Sequence, residues 1–252
     1  MTRAAQVVTR LAVVLGVLVI AAAAVILLQF VGAETPAEAT TATRAPGPGV
    51  GQAPRSGAMT DAESTTRRAV DAVWLTRTAA STGIPERALA AYASADLIVS
   101  AEDPSCGIGW NTLAGIGLIE TDHGRHGGAV LGADGRPDPR IRGAALDGNG
   151  VMAIPDTDGG AWDGDTVWDR AVGPMQFIPE TWRTWGADGD GDGVADPNQI
   201  DDAALAAARY LCASGSVATP DGWRRAILRY NDLDQYVADV ARAANGYAAA
   251  AR

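Results

Sequence analysis

The sequence predicts a mainly α-helical domain, and three observations support that prediction. Beyond residue 60, apolar residues recur with helical spacing in seven separate stretches. Glycine and proline stand at the ends of several of these stretches, as in Gly83-Ile84-Pro85. Residues 127–170 are instead rich in Gly, Asp and Pro and have no helical period, which indicates an insertion of loops and short strands.

Each predicted helix follows from its own pattern. Val70, Val73, Trp74 and Leu75 give the first helix an apolar face, and Pro85 can occupy the first turn of the second. Gly124 is placed to end the third helix. In chain order the predicted helices cover residues 61–81, 85–99, 110–123, 179–185, 201–213, 222–230 and 233–244.

The N-terminal segment, residues 1–33, is predicted to be a transmembrane anchor or a signal segment. Residues 11–30 are apolar except for Gln29, and a helix of that length would span ~30 Å, enough to cross a bilayer. Arg3 and Arg10 precede the run, so the N-terminus should stay cytoplasmic and the rest of the chain should lie outside. Small residues at 31–33 leave cleavage by a signal peptidase open.

Residues 34–59 are predicted to be a disordered linker, and residues 60–252 a catalytic domain. The linker is rich in Thr, Ala, Pro and Gly and has almost no large apolar residue to bury. The whole chain carries a net charge of −10, which argues against nucleic acid as a partner because phosphate would be repelled. Its two cysteines, Cys106 and Cys212, would form a disulfide in an exported chain, whereas in the cytosol they would be free thiols.

Glu120 is the candidate acid. Leu113, Ile116, Gly117 and Glu120 fall at positions i, i+3, i+4 and i+7, so they share one helix face. That face otherwise has the pattern of a core, and partial burial would raise the pKa of the Glu120 carboxyl as a general acid requires. The alternative is an ordinary glutamate near a helix end, exposed or paired with a cation.

The only histidines, His123 and His126, follow Glu120 at intervals of three residues. Such spacing can place metal ligands one turn apart. Gly124 should, however, end the helix between the two histidines, so a metal site is the weaker interpretation. We expect both side chains to line or cap a cleft.

Two strings of residues resemble the membrane-bound lytic transglycosylase B family, particularly its actinobacterial members. The first is Glu120-Thr121-Asp122-His123-Gly124-Arg125, and the second is Gly173-Pro174-Met175-Gln176-Phe177-Ile178-Pro179. Weaker pieces that resemble the family in order and spacing are Gly83-Ile84-Pro85, 88–92, Cys106 before Trp110, Asp156-Thr157-Asp158 and 169–172. The resemblance covers roughly residues 60–247, and Thr121 stands where the family usually has serine.

The resemblance implies a lysozyme-like, α-rich fold with a long sugar-binding cleft beside the catalytic glutamate. Carried over, Glu120 is the acid/base, Gln176 lines the cleft, and Tyr230-Asn231 contacts substrate. Met175 and Phe177 are expected as further substrate-binding residues, in the cleft wall or supporting it. Without the resemblance, these five side chains would be interpreted as surface amides and ordinary core.

The implied reaction uses one carboxylate, whereas most glycosidases use two. It cleaves the β-1,4 bond between N-acetylmuramic acid (MurNAc) and N-acetylglucosamine (GlcNAc) in peptidoglycan and closes a 1,6-anhydro ring on the MurNAc. Because the sequence is rich in aspartate, a second catalytic carboxylate stays open. Alternatives are a lysozyme-type hydrolase that adds water, a non-catalytic peptidoglycan-binding module, and a metalloenzyme at Glu120, His123 and His126.

An acidic loop predicts a structural calcium ion. Carboxylates stand at loop positions one, three and five, glycine at six, and a backbone carbonyl at seven. Position twelve is Gln199 rather than the usual glutamate, and the resemblance suggests a longer loop closed by Asp202, with Asp201 as a less favoured substitute. The predicted ligands are Asp188, Asp190, Asp192, Val194 and Asp202. The alternative is a solvated Asp/Gly turn.

Overall fold

The computed structural model describes residues 41–45 and 70–252. The predicted anchor or signal over residues 1–33, most of the predicted linker and the start of the first predicted helix lie outside these residues. No helix within the described ranges is long and apolar enough to cross a membrane.

The described domain is mainly α-helical, as predicted. Asp71 caps the first helix through a hydrogen bond from the Trp74 N–H to its carboxylate, at 2.7 Å. The last helix continues to Ala250, six residues beyond the predicted end at residue 244, because Ala248 still packs into the core. The helices are α1 Ala72–Thr82, α2 Glu86–Glu102, α3 Trp110–Thr121, α4 Pro179–Trp185, α5 Ile200–Cys212, α6 Pro220–Tyr230 and α7 Asp234–Ala250.

The predicted insertion of loops and short strands lies between α3 and α4. It contains two antiparallel pairs: β1 Val130–Leu131 with β2 Pro137–Asp138, and β3 Arg142–Ala145 with β4 Arg170–Val172. The second pair ends directly before the loop of residues 173–178. That loop therefore starts from a fixed strand end.

Helix α3 is enclosed by its neighbours. It packs against α7 and α2, and α2 in turn packs against α5. Trp110, Leu113 and Ile116 are fully buried. Gly117 is required in this packing, because a Cβ there would lie 2.0 Å from the hydroxyl oxygen of Tyr92. The space beside this glycine is filled by the Tyr92 side chain.

Helix α3 ends at Thr121, two residues earlier than predicted. Asp122 and His123 both adopt left-handed backbone conformations, with φ of 51° and 59°. The Asp122 N–H donates to the Leu118 carbonyl at 2.9 Å, and the His123 N–H donates to the Gly117 carbonyl at 2.8 Å. The left-handed turn thus begins before the glycine that had marked the predicted end, and Glu120 lies in the last helical turn.

The predicted disulfide between Cys106 and Cys212 is present, with the two Cα atoms 5.4 Å apart. It joins the loop before α3 to the last residue of α5. Those positions are 106 residues apart in sequence. The bridge therefore fixes the start of the helix that carries Glu120.

The five described residues of the predicted linker, 41–45, lie against the domain. Asn245 accepts from the Thr43 N–H at 2.9 Å and donates to the Thr41 carbonyl at 2.8 Å. Asn111 accepts from the Ala45 N–H at 3.0 Å and donates to the Thr43 carbonyl at 2.8 Å. Two side-chain amides thus bind the backbone of this short segment, so these five residues are ordered by contacts that composition does not reveal.

Candidate active site

Glu120 is half-buried at the end of α3, and Tyr236 on α7 donates a hydrogen bond to its Oε1. Burial raises the pKa of Glu120 to about 7, against the lowering effect of the Tyr236 hydrogen bond. A carboxyl with that pKa holds its proton near neutral pH and can also release it. The sequence prediction of a partly buried, proton-bearing Glu120 agrees with this geometry.

Tyr236 is a site residue that sequence reasoning missed. It lies 116 residues from Glu120 in the chain and belongs to none of the strings that resemble a family. Its side chain is buried, and its ring stacks on that of Tyr230 with centroids 6.5 Å apart. The one available signal was its position six residues after Tyr230, at the start of a predicted amphipathic helix.

We expect Tyr236→Phe to shift the pH dependence of activity upward. Loss of the phenolic donor removes the interaction that lowers the pKa of Glu120, so the carboxyl should keep its proton to a higher pH. The turnover number should fall by about tenfold, because phenylalanine cannot donate the charge-assisted hydrogen bond that stabilises the Glu120 carboxylate after it has given up its proton. A pH profile of turnover measures both effects. An unchanged alkaline limb would show that the hydroxyl does not tune Glu120.

The Gly-Pro-Met-Gln loop forms a tight turn between two backbone hydrogen bonds that join Val172 and Phe177, at 2.9 and 3.0 Å. A Cβ at Gly173 would lie 1.9 Å from the Pro197 carbonyl oxygen, so only glycine fits there. Gln176 has a left-handed φ of 50°, and its side-chain amide donates to the Gly173 carbonyl at 2.9 Å. A non-glycine residue in that region is uncommon and is found more often at functional sites.

Two hydroxyl groups tie this loop to the helices on either side of it. The Thr121 Oγ1 donates to the Pro174 carbonyl at 2.6 Å, and the Tyr230 Oη donates to the Met175 carbonyl at 2.7 Å. Three segments that the sequence analysis selected separately therefore meet at one place. Thr121, where a serine was expected from the resemblance, supplies the hydroxyl that joins α3 to the loop.

The predicted substrate-binding residues divide into two groups. Gln176 and Tyr230 line one shallow pocket together with Phe177 and Tyr210, and Asn231 directly follows Tyr230 at the half-buried end of α6. Met175, in contrast, is fully buried. Of the two positions expected for Met175, in the cleft wall or supporting it, burial in the core favours the supporting one.

Phe177 has little exposed surface, at 3%, and acts mainly as support. Its ring makes edge contacts with Trp182 at 5.2 Å and with Tyr230 at 5.9 Å between centroids. Those contacts hold the Tyr230 ring in place beside Gln176. The prediction of a wall or supporting role for Phe177 agrees with this position.

His123 does not line a cleft as expected. It is buried between two tyrosines, with its Nδ1 3.2 Å from the Tyr92 Oη and its Nε2 2.9 Å from the Tyr247 Oη. Burial lowers the pKa of His123 to about 4, so the ring is neutral at physiological pH. Both ring nitrogens are engaged and His126 is exposed, so the geometry disfavours the metal site considered for Glu120, His123 and His126.

The acidic loop brings three of its predicted ligands together. Single carboxylate oxygens of Asp188, Asp190 and Asp202 all lie within 4.8 Å of one another. Asp192 does not join them, since its carboxylate lies 3.6 Å from the Arg136 guanidinium. The Val194 side chain is exposed, which is compatible with its predicted role because that role uses only the backbone carbonyl.

Asp202 closes this loop from the first turn of α5. Its Oδ1 accepts from the Gly189 N–H at 2.7 Å, and its Oδ2 accepts from the Asp196 N–H at 2.9 Å. Burial raises the pKa of Asp202 to about 7, and the charge of Asp190 adds to that rise. The Gln199 side-chain amide nitrogen donates to the Asp190 carboxylate at 2.9 Å. Gln199 therefore does not replace the glutamate that usually stands at position twelve of such a loop.

A second acidic group, Asp156, Asp158 and Asp169, lies in the insertion. Asp169 is buried and accepts from the N–H and the hydroxyl of Thr157, at 2.8 and 2.7 Å. Asp156 and Asp158 accept hydrogen bonds from the backbone N–H groups of residues 158, 159, 160 and 162. These hydrogen bonds hold the loop in its conformation.

Comparison with known proteins gives one match. Residues 158–243, roughly a third of the chain, match the family model of the transglycosylase SLT domain. The matched range contains Gln176, Tyr230, Asn231 and Tyr236, but not Glu120. No curated protein and no solved structure matches the chain. The match indicates a lytic transglycosylase that acts on peptidoglycan, and it does not distinguish the B family from others.

Proposed function

We propose that this protein cleaves the MurNAc–GlcNAc β-1,4 bond of peptidoglycan with formation of 1,6-anhydroMurNAc, and that it belongs to the membrane-bound lytic transglycosylase B family. The observation that supports this most is the environment of Glu120. A half-buried carboxyl with its pKa raised to about 7 lies at the end of α3 and is bonded to Tyr236. Tyr236 in turn stacks on Tyr230, which lines a pocket with Gln176.

In the proposed reaction, protonated Glu120 donates its proton to the glycosidic oxygen as the bond from that oxygen to C1 of MurNAc breaks. The 2-acetamido oxygen of the same sugar stabilises the positive charge at C1. The Glu120 carboxylate then takes the proton of the 6-hydroxyl, and the 6-oxygen bonds to C1. The carboxyl ends protonated as it began, and no water is consumed.

One carboxylate suffices for this sequence of steps, and the surroundings of Glu120 fit that requirement. The nearest acid in sequence, Asp122, is exposed beyond the helix end and pairs with Arg125 at 2.7 Å. Burial holds the pKa of Tyr230 and of Tyr236 well above the usual value, and the Glu120 charge adds to both shifts. Both hydroxyls therefore remain protonated. Tyr236 donates to the Glu120 carboxyl, whereas Tyr230 donates to the Met175 carbonyl of the loop.

Mass spectrometry of the products that the protein releases from purified peptidoglycan tests the proposal. Anhydro-muropeptides from the wild type, and none from Glu120→Gln, would support it. Products with reducing ends would instead identify a lysozyme-type hydrolase. Binding of glycan without any release of products, by wild type and variant alike, would favour a non-catalytic peptidoglycan-binding module.

We further propose that the acidic loop binds calcium in a structural role. Calcium prefers oxygen ligands, and the converging groups here are carboxylates of Asp188, Asp190 and Asp202. Burial raises the pKa of Asp190, and repulsion from the charges of Asp192, Asp201 and Asp188 adds to the rise. The Val194 carbonyl would add a further oxygen ligand. Asp192, the remaining ligand that the sequence predicts, would have to leave Arg136 to join the set. A bound cation would offset this repulsion and hold α5 against the loop.

Calcium is expected to raise the melting temperature of the chelator-treated protein. At a hundredfold excess over the dissociation constant the gain is about 2.7 kcal/mol, or about 5–10 °C for a domain of this size. Differential scanning calorimetry measures the shift. Asp190→Asn should abolish it, whereas Asp158→Asn in the other acidic group should leave it intact. A wild type whose melting does not respond to calcium would contradict the proposal.

We also propose that the domain works outside the cytoplasm, held at the membrane by the segment over residues 1–33 or released after its cleavage. The disulfide supports an oxidising compartment, since cytosolic disulfides are rare. Glycan strands of the wall would then be its partner. Carbonate extraction of membranes separates an uncleaved anchor, which stays in the pellet, from a released domain.

A further inference from the structure

We propose that Arg229 binds a carboxylate of the glycan substrate at the outer end of the site. This inference rests on the proposed function, since it assigns a specificity-determining residue to the same cleft. It concerns a residue that neither the motifs nor the family comparison singles out. Arg229 is the last residue but one of α6, directly before Tyr230.

A row of aromatic side chains leads from Glu120 to Arg229. Tyr236, bonded to Glu120, stacks on Tyr230. Tyr230 contacts Tyr210 edge-on at 5.9 Å, and Tyr210 contacts Trp185 edge-on at 5.6 Å. We name Tyr236, Tyr230, Tyr210 and Trp185 the aromatic wall. Since Tyr210 and Tyr230 line the pocket that contains Gln176, the wall is continuous with the predicted substrate site.

The guanidinium of Arg229 is held over this wall. Its central carbon lies 4.6 Å from the ring centre of Tyr210 and 5.5 Å from that of Trp185. The Tyr210 hydroxyl also donates to the Arg229 carbonyl at 2.8 Å, which ties the backbone of Arg229 to the same ring. A guanidinium stacked through its face leaves its N–H edge available to a ligand.

The charge of Arg229 is not neutralised by any acidic side chain in the described part of the chain. Its one side-chain hydrogen bond is a long one, 3.4 Å, from Nη1 to the Ser214 hydroxyl. By contrast, Arg224 on the same helix pairs with Asp234 at 2.7 Å. In a chain of net charge −10, an exposed and ordered cation next to a binding pocket points to an anionic ligand group.

A carboxylate is the anionic group that fits. The fork of N–H donors on a guanidinium matches the two oxygens of a carboxylate. Peptidoglycan offers this group in two places: on the peptide stems, and on the lactyl ether of a muramic acid that has lost its stem. The aromatic wall would contact sugar rings, while Arg229 would bind the charged substituent.

Kinetics on three substrates test the assignment: strands with stems, enzymatically stem-stripped strands, and uncharged oligomers of N-acetylglucosamine. Arg229→Gln should raise KM about tenfold on the substrate whose carboxylate is bound, the size of effect expected for one charge-assisted hydrogen bond. The turnover number should stay within about twofold of the wild-type value, because Arg229 contacts the substrate equally in the ground state and in the transition state. The KM of Arg229→Lys should fall between the values of wild type and Arg229→Gln. Arg77→Gln on α1 is the control for loss of one exposed positive charge.

The substrate on which KM rises identifies the source of the carboxylate, stem or lactyl. Affinity for the uncharged oligomers should not change. An unchanged KM on both charged substrates would overturn the proposal. So would an equal loss of affinity for the uncharged oligomers, since it would mean that Arg229 only supports the aromatic wall.

Failure of the proposed function would be seen separately. If the wild type releases no products, binding of the same strands to Glu120→Gln and to Glu120→Gln with Arg229→Gln still measures the contribution of Arg229. Added salt should weaken binding of the first more than binding of the second, because salt screens an exposed ion pair. Equal salt dependence in the two proteins would overturn the proposal without reference to cleavage.

Discussion

Glu120→Gln is expected to lower the rate of glycan cleavage by about 10³–10⁴-fold, the full contribution of a general acid that must also act as the base. Glutamine keeps the size of the side chain and can still accept the Tyr236 hydrogen bond, but it has no proton to donate to the glycosidic oxygen. Release of muropeptides from purified peptidoglycan measures the loss. Glu180→Gln, an exposed glutamate on α4 paired only with Arg183, is the matched control and should retain full activity.

The same substitution should change stability in a pH-dependent way. The pKa of Glu120 in the folded protein is about 7, above its ordinary value of 4.5, so the fold favours the protonated form. As pH rises from 4.5 to 7 the folded state loses stability relative to the unfolded state, by at most about 3 kcal/mol. Glutamine does not have this loss. Glu120→Gln should therefore melt higher than wild type at pH 8.

Melting curves at several pH values check this expectation. The two proteins should converge as pH falls toward 4.5, and activity of the wild type should decline as pH rises through about 7. Equal melting temperatures at pH 8 would mean that the Glu120 carboxyl is more solvated than its position at the end of α3 indicates. A catalytic defect without the stability change would leave the acid role intact but not the raised pKa.

Removal of the disulfide should cost about 4–5 kcal/mol of unfolding free energy, the entropy expected for a closed loop of about a hundred residues. The change to test is Cys106→Ala with Cys212→Ala, which leaves no free thiol. Because the bridge ties the start of α3 to the end of α5, activity should fall together with stability as temperature rises. Urea denaturation of the double variant, beside wild type with and without a reductant, gives the measurement.

A loss below about 1 kcal/mol in the double variant would mean that packing alone fixes the start of α3. Wild type under reductant is the internal control, since it keeps both cysteine side chains. Agreement between the reduced wild type and the double variant would assign the loss to the covalent link. A larger loss in the double variant would assign part of it to the buried volume of Cys106.

The sequence by itself determined the features that depend on local pattern. The mainly helical fold follows from apolar spacing, and α4 begins and ends where predicted, because Pro179 and Gly186 bound it on both sides. The disulfide was predictable because the chain has only two cysteines. Glu120 was identified as the candidate acid because the residues that share its helix face are apolar.

The tertiary structure alone decided which side chains meet. Tyr236 reaches Glu120 across 116 residues, and Arg229 lies over rings from α4 and α5, contacts that no local spacing encodes. The same packing buried Met175, and it buried His123, which the sequence had placed at a cleft. The spacing of apolar residues predicts which face of a helix is buried, because burial is periodic along a helix. It does not predict which other element packs against that face. That second element supplies the residues beside a carboxyl, and those residues determine the pKa of the carboxyl.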